Sequence, residues 1–155
     1  MIKQVTIFDL DGTVIDSSHR QVTDSNGNLN LAKWFENNTP EKIFQDKILP
    51  LAQEIRRRHK KGDYIIINTA RNLSYADYEF MMENGILADK IIGRPQGNME
   101  NDAKLKRKQL NSFLSLKQFK QANKIMFDDN NEVRSLLRQI GISVIHPNKL
   151  NERLK

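Results

Sequence analysis

The apolar positions of the chain fall into two alternating patterns. Strand segments read from Ile2 to Phe8, in "DYIIIN" ending at Asn68 and Thr69, and more weakly in "DKIIG", "NKIMF" and "ISVI". Continuous apolar runs such as "YIII" predict strands covered on both faces. Between them, apolar residues recur at helical spacing. "DKILPLAQEIRRRHKK" places Ile48, Leu51, Ala52 and Ile55 on one face before Gly62. "SYADYEFMMEN" starts at Ser74, a good N-cap, and stops at Gly85. "NNEVRSLLRQI" sets Val133, Leu136, Leu137 and Ile140 together before Gly141. Strands alternating with helices predict an α/β fold built on a parallel sheet.

One stretch breaks the alternation. Residues 16–45 are polar, carry an Asn26-Gly27 turn signal and hold the only Trp. The stretch is too long for an ordinary connection, and Trp34 and Phe35 predict that it is ordered. It reads as a small lid inserted into a single domain spanning 1–155. Asp16, His19, Arg20 and Trp34 are its candidates for substrate contact, although exposed loops favour such residues in any case.

Composition narrows the classes. The 155 residues suffice for one sizeable core. There is no cysteine, which excludes disulfides and thiolate metal sites and suits a reducing cytoplasm. No apolar stretch approaches the length of a membrane span, and "MIKQVT" does not read as a signal peptide. A net charge of +6 favours an anionic partner such as a nucleotide or nucleic acid, or simply aids solubility.

The chemistry lies in "VTIFDLDGTV", where Asp9 and Asp11 close an apolar strand. Two acids one residue apart on an extended chain point the same way and repel. In open α/β sheets, ligands bind beyond the carboxyl ends of the strands. Asp9 and Asp11 follow the first strand at that edge, Thr69 follows "DYIIIN", and Asp128 and Asp129 follow "NKIMF". Asp129 or Asn130 alone would pass as a helix cap, but a cap needs one carboxylate, not two. A cluster of up to four carboxylates requires a cation. With no thiol, and no histidine nearby in sequence, a hard oxygen-ligated ion is expected, most simply Mg²⁺.

Among the lysines of "DAKLKRKQL", Lys104 and Lys108 share a face, whereas Lys106 falls with Ala103, Leu110 and Phe113 on the inward face. It either reaches the acidic edge or snorkels to water. "RRRHKK", Arg56 to Lys61, lies at a helix C-terminus on the edge opposite the acids and reads as a solvated face.

Taken together, "FDLDGTV", the Thr of "INTAR", a lysine and "FDDN", in that order, resemble the four motifs of the haloacid dehalogenase superfamily of phosphotransferases. The stretch "TAR" followed by "RPQGNMENDAKLK" is similar to the 3′-phosphatase domain of bacteriophage-type polynucleotide kinase–phosphatases, with Arg71, Arg94, Gly97, Asp102 and Lys106 at matching positions. No kinase P-loop motif occurs. The resemblance implies a three-layer Rossmann-like fold with a small cap. It also implies a Mg²⁺-dependent phosphomonoester hydrolase. Asp9 would attack phosphorus, and Asp11 would protonate the leaving oxygen and then activate water. Thr69 and Lys106 would hold the phosphate. Asp9, the Asp11 backbone carbonyl and Asp128 or Asp129 would hold the metal. Gly12, Thr13, Ala70, Arg71, Arg94, His19 and Arg20 would contact substrate.

The resemblance places a phosphorylated nucleic-acid 3′-end first among substrates and a free nucleotide second. Two readings of another class compete: a catalytically silent binding module, and a phospho-accepting receiver. In receivers the acidic pair precedes the Thr and Lys, whereas here a pair also follows both.

Overall fold

The computed structural model describes residues 1–26 and 29–155; Gly27, half of the Asn26-Gly27 turn signal, lies outside them. Five parallel strands form one sheet in the order β5-β4-β1-β6-β7. They are β1 (Gln4–Phe8), β4 (Tyr64–Asn68), β5 (Lys90–Ile92), β6 (Asn123–Phe127) and β7 (Ser143–Ile145). A two-stranded antiparallel ribbon, β2 (Ile15–Asp16) with β3 (Lys47–Ile48), stands apart.

Side-chain alternation divides the core into two layers. Phe8, Ile65, Ile67 and Phe127 face one layer, which meets α3 (Ala52–Lys60) and α4 (Tyr75–Glu83). Val5, Ile7, Ile66 and Met126 face the other, against α5 (Asp102–Leu114) and α6 (Asn131–Arg138). Neighbouring strand residues serve opposite faces because successive side chains point to opposite sides of a sheet. Both faces are covered by helices, so the strands carry few polar positions, and β4 holds the unbroken apolar run Tyr64 to Ile67.

The chain enters the sheet at its centre. From β1 it builds outward through β4 and β5, then crosses to β6 and β7 on the other side. The carboxyl end of β1 is therefore a switch point, where the flanking connections diverge and leave a crevice. Register fixes what meets there: Phe8 is level with both Ile67 and Phe127. Asp9, Asn68 and Asp128 consequently emerge side by side.

Helix ends follow the local signals. Ser74 caps α4 through a capping box with Asp77, and Asn130 rather than Asp129 caps α6. The segment 46–61 differs from its predicted form. Its helix begins only at Ala52, and Lys47–Ile48 form β3, leaving Ile48 exposed rather than on an apolar helix face. Pro50 supplies the reason. It disfavours helical geometry in the residue before it, and the Leu49 amide is instead bonded to the Val14 carbonyl beside the ribbon.

Residues 16–45 fold into a short 3-10 turn (Ser18–Arg20), α1 (Leu31–Glu36) and α2 (Pro40–Ile43), gathered at their base by the ribbon. Asn30 and Thr39 cap the two helices, and Ile43 inserts into the core beside α4.

α7 (Asn148–Arg153) carries a buried Asn151 that ties two distant turns together. Its side chain donates to the Thr13 carbonyl (3.1 Å) and accepts from the Leu51 amide (2.7 Å). Asn151→Ala leaves both groups unpaired and should lower stability by about 1–3 kcal/mol. Urea unfolding followed by circular dichroism measures the loss, and an unchanged midpoint would contradict it.

Candidate active site

β1 ends in a tight turn that presents both of its acids. The amides of Thr13, Val14 and Ile15 all converge on the Leu10 carbonyl at 3.0–3.1 Å. Gly12 makes the turn possible with φ of +77°, a conformation that favours glycine. Its missing side chain matters as much: a Cβ there would lie 2.2 Å from Asp129 Oδ2. The turn after β1 and the loop after β6 can touch only because that position is glycine.

Asp9 lies almost out of solvent, with Lys106 Nζ 2.8 Å from its Oδ1 and the Thr13 hydroxyl donating to its Oδ2 at 3.3 Å. The same ammonium lies 2.6 Å from Asp128 Oδ2, while the Asn130 amide donates to Asp128 Oδ1 at 2.9 Å. Asp129 stays open to solvent. Lys106 is buried between the acids, on the helix face shared with Ala103 and Leu110, and does not snorkel to water.

One oxygen each from Asp9, Asp128 and Asp129 lies within 4.8 Å of the others. Three carboxylates and one ammonium leave two negative charges unbalanced, the charge of one divalent cation. Burial raises the Asp9 pKa well above the usual carboxylate range. Lys106 opposes that rise, and the charges of Asp128 and Asp129 add to it. Burial also raises Asp129. The oxygen-only donor set suits a hard cation.

Asp11 faces away from this cluster. Its carboxylate takes Arg71 Nε at 3.2 Å and a second bond from the same guanidinium, and the Ser17 hydroxyl donates to it at 2.6 Å. Burial works against its charge, but Arg71 and Ser17 outweigh burial and lower its pKa. Arg71 is itself buried and donates to Asp77 at 2.5 Å, with Asp46 at 3.7 Å. The sequence pattern does not single out Asp46, Asp77 or Ser17. Asp77 was visible only as the third residue of a capping box, since its other oxygen accepts from the Ser74 amide.

The remaining predicted residues divide in two. Thr69 is buried, and its oxygen accepts from the Arg71 amide, so its hydroxyl hydrogen is free for a ligand. Thr69, Ala70, Gly12, Arg71 and Arg94 line a cavity of about 860 Å³ that contains Asp9, Asp11, Lys106, Asp128 and Asp129. Asp16 and Trp34, from residues 16–45, line it as well. His19 and Arg20 do not. His19 lies 2.7 Å from Asp46, and Arg20 is buried with two bonds of 2.9 Å to the same carboxylate. The Trp34 ring covers both guanidiniums, 4.4 Å from Arg20 and 5.7 Å from Arg71. Arg94 is also committed: it donates to the carbonyls of Ala70, Asn98 and Glu100 and to the Asp102 carboxylate. Thr13 is fully buried beneath Asp9.

Arg71→Ala would leave Asp77 buried without its cation, while Asp46 keeps Arg20, and should cost about 3–5 kcal/mol at pH 7. The Asp11 part of that loss depends on pH. A carboxylate with a lowered pKa stabilises the fold above its ordinary value of about 3.9, and the contribution disappears as pH falls through the lowered value. The gap between wild type and variant should therefore narrow below about pH 4. Denaturation at several pH values tests this, and a gap independent of pH would contradict it.

Known proteins resemble this chain in sequence and in fold. The model of a family described as bacteriophage T5 5′-deoxynucleotidase matches residues 1–155. A curated 5′-deoxynucleotidase of Escherichia phage T5 is 40% identical over 89 residues, which cover 55% of this chain and 36% of that protein. The match thus spans about a third of that relative's length. Among solved structures, a Pnkp1/Rnl/Hen1 complex contains a chain that aligns with a TM-score of 0.69 at 20% identity, covering 94% of this chain and 46% of that one. A haloacid dehalogenase-like family hydrolase from Streptococcus pneumoniae aligns with a TM-score of 0.63 at 16% identity, covering 93% and 84%. The chain belongs to the bacteriophage T5 5′-deoxynucleotidase family, and its fold is that of the haloacid dehalogenase superfamily of hydrolases.

Proposed function

We propose that this member of the family is a Mg²⁺-dependent phosphatase of free nucleoside 5′-monophosphates, working through a phosphoenzyme on Asp9. The family's description supports the substrate class. One observation in the site carries the choice between a small substrate and a polynucleotide. The cations lining the cavity, among the described residues, are Arg71, Arg94 and Lys106, and each is bonded to protein carboxylates. A polynucleotide needs uncommitted cations for its further phosphates. This reverses the order of substrates suggested by the motif resemblance.

Asp9 attacks phosphorus as the bond to the leaving oxygen breaks, and that oxygen takes a proton from Asp11. Asp11 then removes a proton from water as the water oxygen attacks the acyl phosphate. The proton given in the first half is thus regained in the second. Arg71 holds Asp11 in place and favours its charged form, which suits the second half and opposes the first, in which Asp11 must carry a proton. The Thr69 hydroxyl and Lys106 meet the phosphoryl oxygens as charge develops. Asp9, Asp128 and Asp129, with the Asp11 backbone carbonyl, would hold the Mg²⁺. When bound, the ion offsets the repulsion between the Asp9 carboxylate and the incoming phosphate. Residues 16–45 serve as a small lid whose Asp16 and Trp34 complete the wall.

Phosphate release from 2′-deoxynucleoside 5′-monophosphates, 3′-monophosphates and a 3′-phosphorylated oligonucleotide, at low and high salt with Mg²⁺, tests the proposal. The 5′-monophosphates should show the highest kcat/KM at every salt concentration, with a shallow salt dependence. Faster oligonucleotide turnover that falls steeply with salt would reinstate the nucleic-acid 3′-end.

Two further outcomes follow. Removing divalent ions with a chelator should abolish release, and adding Mg²⁺ should restore it; activity that persists in the chelator would contradict the metal assignment. Lys106→Ala should reduce kcat at least about a hundredfold, the usual order for a lost charge-stabilising donor. Lys104→Ala and Lys108→Ala should stay near wild type, since both lie on the solvent face of α5. Equal losses at all three positions would contradict the role given to Lys106.

A further inference from the structure

The cavity has a polar floor and an apolar mouth. Leu31 and Phe35, four residues apart on α1, are both exposed, at 54% and 57%, and both line the cavity. Residues at that spacing share a helix face. Met99, 79% exposed, lines it from the loop between β5 and α5. Large apolar side chains left in water beside a ligand cavity mark contact with an apolar part of the ligand.

The Met99 loop is held firmly. Arg94 donates to the carbonyls of Asn98 and Glu100 on either side of Met99, while Asn98 Oδ1 accepts from both Arg94 and the Glu100 amide. Met99 is thus presented on a fastened turn. α1 is fixed in its turn by Trp34, whose ring lies over Arg20. Trp34 is committed to that packing, which leaves Phe35 as the aromatic side chain free to meet a ligand. Gln96 also lines the cavity, and its amide has no hydrogen-bond partner among the described residues.

We infer that Phe35 and Met99 grip the nucleobase of the substrate between them, with Leu31 beside it and the Gln96 amide at the base edge. This rests on the nucleotidase reading. An aromatic face and a polarisable thioether accept any flat ring, whereas the phosphate contacts at the floor are common to all phosphomonoesters. The grip therefore supplies the preference for a nucleotide over other small phosphate esters. It also tolerates different bases, because stacking depends little on base identity.

The test compares a 2′-deoxynucleoside 5′-monophosphate with 2-deoxyribose 5-phosphate, which has the same phosphate and sugar but no base. Wild type should prefer the nucleotide. Phe35→Ala and Met99→Ala should each lower kcat/KM for the nucleotide, Phe35→Ala by about tenfold to a hundredfold, as expected for loss of a base-stacking face. The loss should fall mainly on KM. Turnover of 2-deoxyribose 5-phosphate should not change, and Phe35→Trp should restore the nucleotide preference. Both side chains are exposed, so the truncations leave the core intact. Nucleotide turnover that neither truncation changes, or equal losses on both substrates, would overturn the grip while leaving the nucleotidase reading in place. A wild type that favours the 3′-phosphorylated oligonucleotide would overturn both.

Discussion

Three carboxylates crowded against one buried ammonium set the terms for the rest of this structure. Asp9, Asp128 and Asp129 bring oxygens within 4.8 Å of one another, and Lys106 bridges the two that are buried. Such a group repels itself and is costly to take out of water. It persists because the surrounding fold allows no easy escape. β1 lies between β4 and β6, so the acids that follow β1 and β6 must emerge side by side. Gly12 lets Asp129 close on the first turn, and α5 delivers Lys106 from the opposite layer. Burial, and after it the charges of Asp128 and Asp129, raise the Asp9 pKa, and a divalent cation would oppose that rise.

A second network hangs from the first. Arg71 follows Thr69 by two residues, so the segment after β4 that sets Thr69 in the cavity also delivers the cation for Asp11. That guanidinium touches Asp77 at the start of α4, faces Asp46 beyond the lid, and lies under the Trp34 ring. Arg20 fastens the other side of Asp46. The placement of residues 16–45 and the orientation of Asp11 are therefore mechanically joined. The joining leaves Arg71 and Arg20 bonded to protein carboxylates.

Much of this was legible in the sequence for identifiable reasons. The strands read clearly because both sheet faces are covered, and the phase of Lys106 was readable because α5 packs along its length on the sheet. The acidic edge followed from strand ends alone. Other features left no local trace. Ile48 fits the helical period, but Pro50 and the Val14 carbonyl draw that segment into a ribbon. Arg20 and Arg94 read as free cations because their acceptors lie elsewhere: a carboxylate 26 residues away for Arg20, and largely backbone carbonyls for Arg94. Backbone acceptors have no signature in a sequence. The exposure of Phe35 beside the half-buried Trp34 likewise depends on which face α1 turns inward, and six residues are too few for periodicity to decide that.

Asp9 is the group proposed to take the phosphoryl. Mass spectrometry of acid-quenched turnover, using an Asp11→Asn variant to slow breakdown of the acyl phosphate, tests this directly. The predicted result is a phosphate adduct on the peptide containing Asp9, absent when Asp9→Asn is added. Turnover without any adduct, or an adduct on Asp128 or Asp129, would contradict it.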